Sequence, residues 1–356
     1  MRRKRLATWA IVLLNTALLI GIVFLAYSAY IAFRYHADID LQVTGDWPLE
    51  ADDEIGFVAA RDASTVRNHT KQGVSYHLFT DRRGARVNAP GEQTPDRVGI
   101  LTVGGSFAWG HGLENEKTYT QIIGRELRVP VANLAYGSYG TVQSLQLLER
   151  NADLQPKVIT YAFIEDHLRR NLSPCAPSYT PFCLPVSYIG FDGAGNPYIH
   201  RPVSRYSPAP GKRLFQELSS GRFELGDITW GARAALAQLQ KRFILNTQDS
   251  EENRRKSMAW LMERMLQAAR KLDAQLVVVY IPYLHNKIAK PPPDALAGAL
   301  TADVLFVDLA PVITAYYADA RNPPLGLSDG HPNAQAHALI ARELQAALER
   351  AHTGLR

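Results

Sequence analysis

Three side chains of this 356-residue chain have the types and placement for nucleophilic chemistry: Ser106, His331 and Asp329. Ser106 lies in Val103-Gly104-Gly105-Ser106-Phe107-Ala108-Trp109-Gly110, directly after an apolar run that reads as a strand and before a helix. A serine in that position sits at the carboxyl edge of a sheet, where open α/β folds place their ligands. Glycines beside it allow a tight turn and let a substrate carbonyl approach the backbone N–H groups that would hold an oxyanion. Asp329 and His331 share the segment Ser328-Asp329-Gly330-His331-Pro332-Asn333. A serine hydroxyl attacks poorly until an imidazole takes its proton, and the imidazole needs a carboxylate to fix its tautomer and orientation. The expected roles are Ser106 as nucleophile, His331 as base and then acid, and Asp329 as the group that orients His331. Each segment alone has a plainer account: a Gly-Gly-Ser turn is often only a turn, and Asp-Gly-His-Pro suits a helix-capping loop.

The elements that must position these residues alternate between strands and helices. Val98–Val103, Val131–Leu134, Val158–Phe163, Leu276–Ile281 and Val304–Val307 read as strands. Helices are expected at Tyr119–Leu127 and Gln143–Asn151, over 213–244 and 251–273, and at Ala334–Arg350, the last opened by Pro332 and Asn333. This alternation predicts βαβ units and a three-layer α/β/α, flavodoxin-like parallel sheet over residues 96–352. Residues 171–212, rich in Pro, Gly and aromatics, predict an irregular insertion. Residues 34–95 read as a linker and a small β appendage, with Val74–Thr80 as its clearest strand.

Residues 6–33 carry no charge and exceed the ~20 residues needed to cross a bilayer, which predicts an N-terminal transmembrane helix. Arg2, Arg3, Lys4 and Arg5 precede it, so residues 1–5 are expected in the cytoplasm, with everything after Arg34 outside the inner membrane. A cleaved signal peptide ending near Ala26-Tyr27-Ser28 is the competing account, but the apolar run is long for one. The net charge of +5 comes largely from that basic tail, so no basic face argues for nucleic acid. The only cysteines, Cys175 and Cys183, can close a small loop in an oxidising compartment, and export favours that pairing over two free thiols.

Taken together, the two chemical segments resemble the SGNH (GDSL-like) hydrolases, over nearly all of residues 74–350. Gly104-Gly105-Ser106-Phe107 stands where that family carries its Gly-Asp-Ser turn, and Asn133 to Thr141 looks like its second block. Glu165-Asp166 falls at the Asn-Asp block after a strand, and Asp329 with His331 at the last block. The resemblance implies acyl-ester chemistry with no cofactor, on an acylated carbohydrate or another ester. The oxyanion would be held by the N–H groups of Ser106 and of the Ser138 to Gly140 turn.

Departures from the family pattern are Gly105 for its aspartate, Ser138 for a glycine, Glu165 for the asparagine, and a two-residue Asp329–His331 spacing. A lost oxyanion donor costs about 2.7–4 kcal/mol. His167 or Asn171 is therefore expected to replace the asparagine, unless Glu165 points away. An α/β-hydrolase is a rival, since Gly104-x-Ser106-x-Ala108 nearly matches Gly-x-Ser-x-Gly, but the close Asp–His pair argues against it. A catalytically weakened carbohydrate-binding or scaffold subunit is the other. His111, in Gly110-His111-Gly112, could line the pocket but reads as a loop histidine near a turn; the remaining histidines, with His285 and His337 isolated, show no ligand spacing, so no metal is expected. Trp109 and Tyr139 suit either sugar stacking or the core.

Overall fold

The structure, a computed structural model, describes residues 2–39, 43–44, 48–69, 73–176, 184–202, 248–284, 288–351, 353 and 355. The helix expected over 213–244, together with Cys183 and His285, lies outside these residues.

Helix α1 (Arg2–Ile39) contains a stretch, Trp9–Tyr27, long and apolar enough to cross a membrane, and none of that stretch is buried against the rest of the chain. Strands β1 (Val43–Thr44), β2 (Leu49–Asp52), β3 (Gly56–Ala59), β4 (Ser64–His69), β5 (Val74–Thr80) and β6 (Arg86–Val87) follow. They form a four-stranded antiparallel sheet, β1-β4-β5-β6, and a β2–β3 hairpin. Ile55 from the β2–β3 turn and Phe57, Tyr76 and Leu78 from the strands join the same hydrophobic cluster as the main sheet.

That main sheet is built from β7 (Ile100–Gly104), β8 (Val131–Asn133), β9 (Val158–Phe163), β14 (Gln275–Tyr280) and β15 (Leu305–Asp308). Its neighbours run β15-β14-β9-β7-β8, all parallel, which is the flavodoxin-like order 2-1-3-4-5. Every residue of β7 and β9 is buried, as continuous apolar runs require when helices cover both faces of a sheet. The helices are α2 (Ser106–Trp109), α3 (Tyr119–Leu127), α4 (Thr141–Arg150), α5 (His167–Arg170), α6 (Glu251–Lys271), α7 (Asp294–Ala297), α8 (Ala310–Ala318) and α9 (Ala334–Arg350). Helices α3 and α9 pack on each other, as do α4 and α6. Their starts are set by side chains that serve otherwise unpaired N–H groups. Thr118 accepts from Gln121 N, Ser250 from Asn253 N, and Asn333 from Ala336 N.

Within the expected insertion, two short antiparallel pairs are present: β10 (Cys175–Ala176) with β11 (Leu184–Pro185), and β12 (Tyr188–Phe191) with β13 (Pro197–His200). Cys175 is disulfide-bonded.

In this strand order the chain leaves β7 toward β8 and returns on the other side as β9, so the crevice at the β7 and β9 carboxyl ends is the switch point. Ser106 follows β7, and Glu165 to His167 follow β9.

Candidate functional site

The turn after β7 needs its first glycine. Gly104 has φ +148°, and a Cβ there would stand 2.9 Å from the Ala162 carbonyl oxygen of the neighbouring strand. Ser106 then opens α2, so by position its N–H has no acceptor within the helix. Its Oγ lies 2.9 Å from His331 Nε2. On the other side of the ring, Asp329 Oδ2 is 3.1 Å from His331 Nδ1. The carboxylate lies off the Nδ1–H direction, so the contact is an ion pair without an aligned hydrogen bond. The two-residue spacing accounts for this: Asp329 also uses its other oxygen to accept from the His331 backbone N–H at 3.1 Å, which ties the carboxylate to its own loop. The loop is closed by Leu327 N donating to His331 O and Asn333 N donating to Leu325 O. Burial alone would raise the Asp329 carboxyl. The close side-chain contact with His331 and its charge, with the His331 backbone N–H and the charge of His111, outweigh it and hold Asp329 well below the usual carboxylate range.

His111, which sequence reasoning left as a loop residue, belongs to this cluster. Its Nε2 is 3.6 Å from Asp329 Oδ2, and its ring lies 4.4 Å from that of His331. The loop carrying it is anchored by Arg86. That buried guanidinium donates to the carbonyls of Trp109 and Gly110 at 2.6 and 2.7 Å, and also to that of Leu113. Burial outweighs the opposing effects of Tyr76 and Glu114 and pulls the guanidinium down to about 10. An arginine at the end of a two-residue strand carries no sequence signal for this role. Phe107 completes the wall, 5.3 Å from the His331 ring.

The expected oxyanion donors fare unevenly. Asn171 is fully buried, and both ends of its amide are committed to Thr141: Oδ1 accepts from Thr141 N at 2.8 Å, and Nδ2 donates to Thr141 Oγ1 at 2.9 Å. The amide is thereby oriented toward Thr141, with one of its two Nδ2 hydrogens used. The Gly140 N–H is likewise taken, by Gln143 Oε1 at 2.9 Å, an arrangement that starts α4. His167 is also fully buried, with Nδ1 2.8 Å from the Tyr161 hydroxyl, which in turn is 2.7 Å from Thr141 Oγ1. Desolvation, then the nearby Arg170 charge, push His167 well below its ordinary value, so it is neutral. Glu165 is half-exposed and lies 3.8 Å from Lys290 Nζ. Ser138 holds φ +68°, a left-handed conformation that costs a serine more than a glycine, which is a physical reason for the family's glycine there. Trp109 and Tyr139 are core residues, 3% and 0% exposed, which leaves neither face open for a sugar.

Gly105 is explained by what stands behind it. A Cβ at that position would lie 3.0 Å from His167 Nε2, 3.2 Å from Arg170 Nη1 and 3.3 Å from the Tyr139 carbonyl oxygen. Neither side chain can yield easily, because Tyr161 pins His167 and Arg170 Nη1 donates to Tyr139 O at 2.9 Å. Gly105→Ala is expected to destabilise the protein by about 1–3 kcal/mol, as over-packing does. A denaturant midpoint equal to that of the wild type would contradict this.

No protein-family model matches the chain, and no curated protein matches it. Several solved structures do. A lipolytic protein of the G-D-S-L family from Desulfitobacterium hafniense is 11% identical, with 70% of this chain and 98% of that one covered and a TM-score of 0.35. A family two carbohydrate esterase from Clostridium thermocellum, solved with cellohexaose, is 11% identical, covering 76% and 68%, with a TM-score of 0.34. A carbohydrate esterase family 2 enzyme from Corynascus thermopiles (Myceliophthora fergusii) is 13% identical, covering 86% and 88%, with a TM-score of 0.36.

Proposed function

We propose that this chain is a membrane-anchored serine esterase or acyltransferase of the SGNH type, acting on acyl esters outside the inner membrane, with acylated envelope or exported carbohydrate as the substrate class. The observation that carries the reading is the 2.9 Å separation of Ser106 Oγ and His331 Nε2, groups 225 positions apart in the chain. His331 takes the hydroxyl proton as Ser106 attacks the ester carbonyl, then returns it to the leaving alcohol. Asp329 favours the imidazolium formed between those steps. The N–H groups of Ser106 and Ser138 hold the oxyanion, since the Gly140 N–H is engaged by Gln143 and the Asn171 amide is turned toward Thr141. A positive charge enters this region through Arg170, which lies behind Gly105. Helix α1 supports the anchor, and the basic residues 2–5 before it support an outward-facing domain.

A second reading, a carbohydrate-binding or scaffold subunit with weakened turnover, is favoured by the unaligned Asp329–His331 pair and by the turning of the Asn171 amide toward Thr141. One experiment separates the two. The full chain in detergent at neutral pH is exposed to a fluorophosphonate, with Ser106→Ala as control. The esterase reading expects covalent labelling that disappears in the variant. Absence of Ser106-dependent labelling leaves the binding reading.

A further inference from the structure

We propose that His111, Asp329 and His331 form a site for one divalent transition-metal ion of the zinc type, and that its occupation switches the Ser106 centre off. The binding stands on geometry alone, while the consequence rests on the esterase reading.

The three side chains each present a ligand atom, and these atoms all lie within 4.8 Å of one another. Asp329 Oδ2 is 3.1 Å from His331 Nδ1 and 3.6 Å from His111 Nε2. Tetrahedral zinc with bonds of about 2.0–2.1 Å separates its ligands by about 3.3–3.4 Å. The two measured separations bracket that value, so the cluster needs only small side-chain adjustments to close on an ion. Two imidazoles and a carboxylate, with one position open, is also a donor set that zinc favours. Among the described residues no other group of three such side chains comes together.

A second observation points to a ligand. His331 Nδ1 is buried with no aligned hydrogen-bond partner, although buried polar atoms are normally served. A metal ion between it and the carboxylate would give this nitrogen a partner. The backbone is also fixed in advance: Arg86 holds the Trp109 to Leu113 segment by three carbonyls, and Asp329 is tied to the His331 N–H. Position 111 is more than two hundred residues from the other two ligands, so no local motif announces the site.

The inhibition follows from the two nitrogens of one ring. In the metal-free centre the neutral His331 carries its proton on Nδ1, facing Asp329, and offers the Nε2 lone pair to the Ser106 hydroxyl. A metal on Nδ1 moves that proton to Nε2, with no net gain or loss. Nε2 then donates to Ser106 Oγ and cannot accept its proton, so the serine is not activated.

The test uses the full chain in detergent. Zinc chloride binding is measured by calorimetry, and cobalt chloride is added separately to read the visible band of a tetrahedral site. The expected result is one ion per chain, with affinity lowered at least about 100-fold in His111→Ala, the upper end of the loss caused by a mere supporting residue. His111→Gln serves as a second variant, and circular dichroism confirms that each is folded. Fluorophosphonate labelling of Ser106 is expected to fall as zinc saturates the wild-type chain. The site is overturned if the wild type binds no zinc, or if both variants bind it as tightly. Unchanged labelling at saturating zinc overturns the switch. If the metal-free chain is not labelled at all, the esterase reading fails while the binding measurements still decide the site.

Discussion

Replacing His331 with alanine is expected to lower Ser106-dependent ester hydrolysis by roughly a million-fold, close to the loss from removing the serine, as in catalytic groups that act as one unit. The ring stands between a hydroxyl and a carboxylate, at 2.9 and 3.1 Å, and no other imidazole is recorded at hydrogen-bonding distance from Ser106 Oγ among the described residues. Asp329→Asn should cost much less. Where an aligned carboxylate fixes the histidine tautomer, its amide replacement costs about 10,000-fold. Here the carboxylate lies off the Nδ1–H line and binds its own backbone, so its hold on the ring is looser. A loss of about 100- to 1,000-fold is expected for Asp329→Asn, since only part of that alignment is present to lose. The measurement is kcat/KM on a chromogenic acetate ester. Two outcomes would contradict the assignment: a His331→Ala enzyme retaining a percent or more of wild-type activity, or an Asp329 effect as large as that of His331.

The sequence was most legible where a single physical constraint acted alone. Val158–Phe163 occupies its expected bounds because a strand covered on both faces must be apolar at every position. Tyr119–Leu127 and Ala334–Arg350 do so because Thr118 and Asn333 cap them. Helix α8 escaped notice because its Ala310–Ala318 sequence is apolar nearly throughout and shows no face. The segments around Ser106 and His331 were visible as chemistry, and the structure brings them together at the switch point. Their surroundings were not visible, because they depend on contacts between distant positions. Nothing local to Asn171 says that Thr141 engages its amide, thirty residues away. Nothing in Gly105 says that His167 and Arg170 occupy the space a side chain would need. His111 looked ordinary for the same reason, since its partners lie in the last loop of the domain. The departures from the family pattern have physical counterparts of the same kind: the glycine beside the nucleophile leaves room for a buried histidine and arginine, and the glutamate after β9 meets Lys290.

Those buried histidines give the protein a steep sensitivity to acid. His337 is fully buried against Tyr119, with Nδ1 accepting from the Tyr119 N–H at 3.1 Å. Burial, with smaller contributions from the Arg86 and His331 charges, brings it down to about 3. His167 is lowered well below its ordinary value for the same first reason, with Arg170 adding to it. Each stays neutral in the folded state, whereas an unfolded histidine takes up a proton near pH 6.5. Between those values the unfolded chain binds more protons, so stability is full above about pH 6.5 and declines as pH falls. For His337 the slope approaches about 1.4 kcal/mol per pH unit once the pH is about a unit below 6.5. From pH 6.5 to 4.5 His337 removes about 2 kcal/mol of the 5–15 kcal/mol that holds a domain folded, and His167 acts in the same direction. Asp329, held below the usual carboxylate range, extends the decline in the same direction below its unfolded value near 3.8. Denaturant unfolding of the full chain in detergent at pH 7, 6 and 5 should show this fall. His337→Asn keeps an acceptor near the Nδ1 position for the Tyr119 N–H but cannot titrate, so it should lower the slope between pH 6 and 5 by about 1 kcal/mol per pH unit. A slope unchanged by that substitution would mean that His337 takes up its proton in the folded state after all.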